Sequence, residues 1–337
     1  MEGCSISKIT DIPPKEVKDE LAKLCVALDK DVSDGGIPPK IPDRNLLIAT
    51  WNIRSFGDLT ESWKAGENDD PKRDLHALRC ITEIVSRFDV IALQEVKGNI
   101  KCLRHMLKFL GPDWGLILTD VTKGDPGNGE RMAFLFDTRK VRLSGLACEL
   151  VVPKEQLDKI GPDALNEQFA RTPYAVSFWS AGKTFILVTL HVIYGKKAEE
   201  RIPELKAIAE WLADWARDIN AWDHNLIALG DFNIDRKDDD LYKAFTSTGL
   251  SVPNDLHKIP RTIFSDPNKP EMDKFYDQIA WFTGEDKVTP ALSLKYRKGG
   301  SFDFTKTALS SLNLTKLQLS WRISDHYPLW AEFQVRE

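Results

Sequence analysis

Five short apolar runs constrain this chain more than any other feature: Leu46-Leu47-Ile48-Ala49-Thr50-Trp51, Val90-Ile91-Ala92-Leu93, Met132-Ala133-Phe134-Leu135-Phe136, Phe185-Ile186-Leu187-Val188-Thr189-Leu190 and Leu226-Ile227-Ala228-Leu229. They are short and lack the polar alternation of a half-solvated strand, so they read as strands covered on both faces. Tyr174 to Trp179, the turn Ser180-Ala181-Gly182-Lys183 and Thr184 to Leu190 form an antiparallel hairpin, which makes the sheet content mixed. Between the strands lie helices. Asp70-Pro71 has the form of an N-cap and a first-turn proline, followed by Leu75, Leu78, Ile81 and Val85 at helical spacing. A second helix carries Leu103, Met106, Leu107 and Leu110 and stops at Gly111-Pro112. A third, from about Ala198 to Ile219, aligns Leu205, Ile208, Ala209, Leu212, Ala216 and Ile219; Trp211 and Trp215 flank that stripe as core residues.

Residues 1–44 differ from this pattern. An amphipathic stretch, Val17 to Leu28, precedes Ser33-Asp34-Gly35-Gly36 and a proline-spaced linker, so the segment reads as a helical extension appended to one domain spanning 45–337, and as a docking element for a protein partner. With 337 residues, 42% of them hydrophobic, the chain can bury a core without disulfide or metal staples. The formal charge of −5 supplies no general cationic field, so a polyanionic substrate needs local charge or a metal. Five scattered cysteines without a C-x-x-C pair indicate neither a disulfide framework nor a zinc site, and point to a reducing compartment. The first residues lack a signal-peptide pattern and no apolar run nears the ~18 residues of a membrane helix. The expectation is a soluble, cytoplasmic protein without stable membrane association.

The polar residues that end the strands carry the chemistry. Asn52 follows the first run, Glu95 the second, His191 the fourth, and Asp231 with Asn233 the fifth; Asp277 follows Phe275-Tyr276, and Asp325-His326 precede Tyr327-Pro328-Leu329-Trp330. Singly, each is an ordinary turn former. Together, the oxygens of Asn52, Glu95 and Asp325 suit Mg²⁺, a hard ion that keeps water and uses one or two carboxylates plus substrate phosphate. His191 and His326 suit proton transfer if nearby carboxylates hold them. His76, His105, His224 and His257 match no such pattern and read as surface or core residues, and Lys237-Asp238-Asp239-Asp240 as a solvated helix start.

The segments ATWNIRSF, IALQEV, GERMAFLF, RTPYAVSF, TLHVIYG, LGDFNID, FYDQIAW and SDHYPLWAEF, over about residues 46 to 335, resemble in order the motif series of the endonuclease/exonuclease/phosphatase superfamily, closest to its deoxyribonuclease I-like branch. The resemblance implies an α+β fold, a four-layer α-β-β-α sandwich of two mixed, mostly antiparallel sheets flanked by helices, with the site at one edge. It implies Glu95 as main metal ligand, with Asn52 and Asp325 near the metal and the scissile phosphate. Asp231 and Asn233 would orient or deprotonate water and hold a phosphoryl oxygen, and Arg171 would bind phosphate. Glu130 would pair with His191 and Asp277 with His326. The general base stays open among His191, His326 and Asp231. The activity implied is a divalent-metal-dependent phosphodiesterase using Mg²⁺, with Mn²⁺ or Ca²⁺ as alternatives, on DNA first and RNA second. FYDQIAW lacks the tryptophan-cysteine pair of the inositol-polyphosphate phosphatases; a phospholipid or sphingomyelin diesterase, and a partner-gated binding subunit, are the other readings. Asn128 stands near where the nuclease branch often has an aromatic residue. The segment Lys295-Tyr296-Arg297-Lys298-Gly299-Gly300 interleaves basic and aromatic residues, so Lys295 and Arg297 are candidates to grip a nucleic-acid backbone.

Overall fold

Strand β1, Asn45–Phe56, shows why the apolar runs do not alternate in polarity: both of its faces are buried. Leu46 and Ile48 join one core, while Leu47, Ala49, Trp51 and Ile53 join another on the opposite face, as the two-residue period of a strand requires. The computed structural model of the protein describes residues 12–122, 129–150, 171–195, 197–218, 222–266, 268–270, 273–285, 287 and 289–336. Within them the remaining strands are β2 (Val90–Lys97), β3 (Trp114–Leu118), β4 (Glu130–Asp137), β5 (Arg142–Glu149), β6 (Tyr174–Ser180), β7 (Lys183–His191), β8 (Leu226–Asp231), β9 (Leu250–Ser251), β10 (Asp277–Phe282), β11 (Lys295–Ser301) and β12 (Leu329–Gln334). Six form one sheet in the order β11-β12-β1-β2-β4-β3, and six a second in the order β5-β6-β7-β8-β10-β9. The pairs β1/β2 and β7/β8 are parallel and the others antiparallel.

The inner faces of the two sheets share one core, in which Ile48, Val90, Ala92 and Phe134 meet Val176, Phe178, Val188 and Ile279. Helices cover the outer faces: α1 (Lys15–Leu28), α2 (Leu75–Val85) and α3 (Lys101–Leu110) lie on the first sheet, α4 (Ile202–Arg217) and α5 (Asp240–Thr246) on the second, and α6 (Lys316–Arg322) leads into β12. The architecture is the four-layer α-β-β-α sandwich that the motif series implies. The β6–β7 hairpin forms as read, with Ala181 and Gly182 at φ 48° and 83°, the left-handed pair that a two-residue turn matched to strand twist needs.

Three readings shift. The first core helix starts at Leu75 and is capped by Asp74, whose carboxylate accepts from the Ala77 amide at 2.9 Å; Asp70-Pro71 belongs to the preceding loop. The Ala198–Ile219 helix is a 3₁₀ turn, Ala198–Arg201, followed by α4 with Pro203 in its first turn; Ile219 lies outside the described residues. The N-terminal helix is not an appendage. Val17, Leu24 and Leu28 are buried in the same core as Trp51 and Ile81, and the Ser311 hydroxyl donates to Glu20 at 2.6 Å. Its apolar face is occupied by the domain itself. Among the described residues no helix is long and apolar enough to cross a membrane.

Candidate active site

Register alone assembles half of the site. His191 pairs with Asp231 across β7/β8, and Asp231 pairs with Asp277 across β8/β10, so three strand ends set three polar side chains in one row. Gly230 makes this possible: its φ is 147°, and a Cβ there would lie 2.0 Å from the Leu190 carbonyl oxygen, so only glycine lets β8 approach β7 this closely. On the first sheet Asn52 falls on the inner face and reaches across. Its Nδ2 donates to Asp231 Oδ2 at 3.0 Å.

Glu95 is positioned by an irregularity that sequence periodicity does not show. The ladders shift register between Asn52 and Phe56 on one side of β2 and between Leu93 and Val96 on the other, and Glu95 sits between them at φ 59°. Such a bulge re-aims a side chain that strict alternation would point elsewhere. The Glu95 carboxylate accepts from the Ser55 amide at 2.9 Å and is half-buried.

Two histidines converge on Asp231. His191 Nε2 lies 3.8 Å and His326 Nε2 4.0 Å from Asp231 Oδ2, while each ring sets its Nδ1 against a different buried carboxylate: Glu130 Oε2 at 3.1 Å and Asp277 Oδ2 at 2.7 Å. A carboxylate behind each ring fixes its orientation and leaves Nε2 facing the site. Burial disfavours charge on His326, but the carboxylates of Asp277 and then Asp231 outweigh it and raise its pKa to about 10. Burial likewise pushes the Asp277 carboxyl up, so its charge depends on the His326 cation. Asp231 is held below the usual carboxylate range: burial opposes its charge, and His326, His191, the Asn52 amide and the Asn233 N–H overcome that. Glu130 is held down to about 2, since His191, Arg171 and Lys97 outweigh its burial.

Asn233 is placed by its own turn, at φ 51°, where its N–H donates to Asp231 Oδ1 at 3.0 Å and its Nδ2 to the Val192 carbonyl at 2.7 Å. Arg171 is brought to the site chiefly as a partner of Glu130, 2.6 Å from Nε to Oε2. Asp325 lies beside His326 at the rim, its side chain 27% exposed and 3.6 Å from Arg54. The structure does not bring Lys295 and Arg297 to the site. They lie on β11, where Lys295 pairs with Gln334 and Gln334 with Asn45, the end of β1 away from Asn52, and Arg297 donates to Gln334 at 3.0 Å; pairing along an edge strand fixes them there. Asn128 lies outside the described residues. His76, His105, His224 and His257 take structural partners: Glu20, Glu61, the Ala216 carbonyl and Tyr242.

The donor set fits a hard divalent cation. Asn52 Oδ1 is buried without a hydrogen-bond partner, and the neighbouring donors, Glu95 and Asp325, are carboxylates. Among the described residues no three His, Cys, Asp or Glu side chains form a closed cage; an ion held by few protein oxygens completes its shell with water and substrate, as Mg²⁺ does.

Some residues that organise the site carried no sequence signal. Arg201, 4% exposed, donates to the carbonyls of Tyr194 and Asn233, both at 2.6 Å, and so ties the loops after β7 and β8 together. Arg73 donates to the carbonyls of Ser55, Arg54, Arg322 and Ile323, joining the end of β1 to the segment before Asp325. Gln94 bridges the sheets one rung below the site, its Nε2 donating to Thr50 at 3.0 Å and Thr189 at 2.9 Å. Partners that are backbone carbonyls leave no mark in a sequence.

The sandwich brings the oxygens of Asn52, Glu95 and Asp325 and two carboxylate-backed histidines to one edge of the paired sheets, a set of groups suited to phosphoester hydrolysis. The model of the endonuclease/exonuclease/phosphatase family matches residues 49–311, and the chain belongs to that family, on its deoxyribonuclease I-like branch. It is 29% identical over 196 residues to a deoxyribonuclease of a Thioalkalivibrio strain, a match covering 56% of this chain and 46% of that protein. It is 27% identical over 316 residues to deoxyribonuclease gamma of Rattus norvegicus, covering 87% and 85% of the two chains. Among solved structures, a conserved protein of Enterococcus faecalis described as functionally unknown superposes with a TM-score of 0.56 at 17% identity, over 86% of this chain and 99% of that one.

Proposed function

We propose that this chain is a divalent-metal-dependent endonuclease that hydrolyses DNA phosphodiesters by in-line attack of water. One observation carries the reading: two histidines, each backed by its own buried carboxylate, converge on Asp231 opposite the unpartnered oxygen of Asn52. The deoxyribonuclease names of its relatives favour DNA over RNA. The described cysteines are free thiols, which supports action in a reducing, cytoplasmic setting.

Glu95, Asn52 and Asp325 would hold the divalent cation, whose chemistry is to polarise a phosphoryl oxygen and offset the charge of the transition state. The other groups divide by protonation. His326, with its pKa raised to about 10, is a standing cation at neutral pH and so cannot serve as the resting base; it places Nε2–H where it can protonate the leaving oxygen. Asp231, held ionised, accepts the proton of the attacking water directly or through His191. Asn233 holds the loop and presents a polar group to the phosphoryl oxygens, while Arg171 adds positive charge. A new O–P bond forms as the opposite P–O bond breaks, with one proton taken up by the Asp231–His191 side and one released by His326.

The test is a cleavage panel of supercoiled plasmid, single-stranded DNA, RNA and sphingomyelin vesicles, each with Mg²⁺, Mn²⁺ or EDTA, using Glu95→Ala and His191→Ala as controls. Metal-dependent plasmid nicking lost in both variants is expected. Turnover of lipid alone, or undiminished nicking in EDTA, overturns the reading.

A further inference from the structure

Among the described residues three exposed aromatic side chains stand near the site, and one of them is joined to it through Arg54. Trp321 on α6 is 49% exposed, and the Arg54 guanidinium lies 3.8 Å from its ring centroid. The same guanidinium donates to the Ser320 hydroxyl at 2.9 Å and stands 3.6 Å from Asp325. The indole is therefore one side chain removed from Asp325. Phe264, 47% exposed, sits on a turn fastened to the same residue: Thr262 Oγ1 and the Ile263 amide donate to the Asp325 carbonyl at 2.8 and 3.0 Å. Lys316 joins that turn to α6 by donating to the Ser265 carbonyl at 3.4 Å. The third, Tyr194, lies across the site above Arg201.

A half-exposed tryptophan is ordinarily an unfavourable surface residue, and this one is packed against Arg54 on a capped helix. Helix α6 begins with a Thr315–Gln318 capping box, and Arg54 stacks against the indole. With a guanidinium over the ring and half of the residue exposed, the indole is accessible beside a cationic, phosphate-suited group. That combination recognises a nucleotide: arginine for the phosphate, a flat π-face for the base.

We infer that Trp321, with Phe264 beside it, is a stacking site for an unpaired base of the nucleotide adjoining the scissile phosphate. This rests on the nucleic-acid reading above and adds to it the state of the substrate. Inside a duplex both faces of every base are already stacked, so the site engages single-stranded, frayed or extruded nucleotides. Duplex regions gain nothing from it.

The experiment measures KM and kcat on a single-stranded oligodeoxythymidylate and on a chain of equal length made of abasic tetrahydrofuran sugar-phosphates, with Mg²⁺, for the native protein, Trp321→Ala and Trp321→Phe. The native protein is expected to favour the base-bearing chain in KM by roughly 5- to 150-fold, the worth of one base–aromatic stack. Trp321→Ala should lose that preference and Trp321→Phe keep most of it, with unchanged melting temperatures. An equal preference in native protein and Trp321→Ala overturns the stacking site while leaving the nuclease reading intact. Failure of the native protein to cut any oligonucleotide, with Trp321→Ala releasing it from sphingomyelin vesicles, overturns both and makes the patch a lipid contact.

Discussion

The two halves of the site obey opposite rules although the sheets that carry them share one plan. In each sheet a parallel pair, β1/β2 or β7/β8, is flanked by antiparallel strands, and Asn52 and Glu95 lie toward the end of the first pair as His191 and Asp231 end the second. At the β1/β2 end Glu95 is half-buried with one amide contact, Asp325 is partly exposed, and Asn52 Oδ1 has no partner. Around the β7/β8 end His191, Asp231 and Asp277, with Glu130 of β4 from the first sheet set behind His191, are all under a tenth exposed and each is paired. One half keeps an unpartnered oxygen and a partly exposed carboxylate, and the other sets each buried side chain against a partner. The first should be dispensable for folding and the second should not.

Removing Glu95 attacks the open half. Glu95→Ala should lower kcat by on the order of 10³-fold or more, since it removes preorganised charge at the phosphoryl group, while the melting temperature stays close to native. A large loss of stability would break the contrast. Asp277→Ala attacks the closed half. It leaves the His326 cation buried without its nearest partner, so the cost should be about 3–5 kcal/mol of unfolding free energy together with a kcat loss of about 10²–10⁴-fold. Chemical denaturation beside kinetics measures both.

Charge linkage separates the halves by pH. His326 has a pKa raised above its unfolded value, so its contribution to stability is full below about 6.5 and is lost as pH rises through about 10. Glu130 is depressed, so its contribution is full above about 4.5 and is lost as pH falls toward about 2. His326→Gln should flatten the alkaline limb of the stability profile and Glu130→Gln the acid limb; unchanged limbs would show that the pairs are not charged. Arg201→Lys should give a smaller effect, about a 10- to 100-fold fall in kcat with KM little changed, because it loosens Asn233 without touching substrate. Lys295→Ala and Arg297→Ala, at the other end of the sandwich, should leave kcat within about twofold of native, surface changes being near neutral.

Much of this was legible from the residues. The five apolar runs became β1, β2, β4, β7 and β8, because a run buried on both faces has little alternative in a chain of this length. The pairings of Glu130 with His191 and of Asp277 with His326 came through motif resemblance, and the structure brings both together. What misled was local. Asp70-Pro71 has the form of a helix start, but Asp74 has the carboxylate that reaches an orphan amide. Lys295 and Arg297 have suitable chemistry, but strand pairing holds them away from the site.

The sequence by itself determined which residue types end which strands, since polarity at a strand end and the period of two are local properties. Tertiary structure alone decided that Asn52 reaches Asp231 across the sheets, that a bulge turns Glu95, that Arg73 and Arg201 bind the loops through carbonyls, and that Trp321 stands on Arg54. Each of these depends on contacts between residues distant in the chain or on a break in regular geometry, and neither is encoded in any local pattern of side chains.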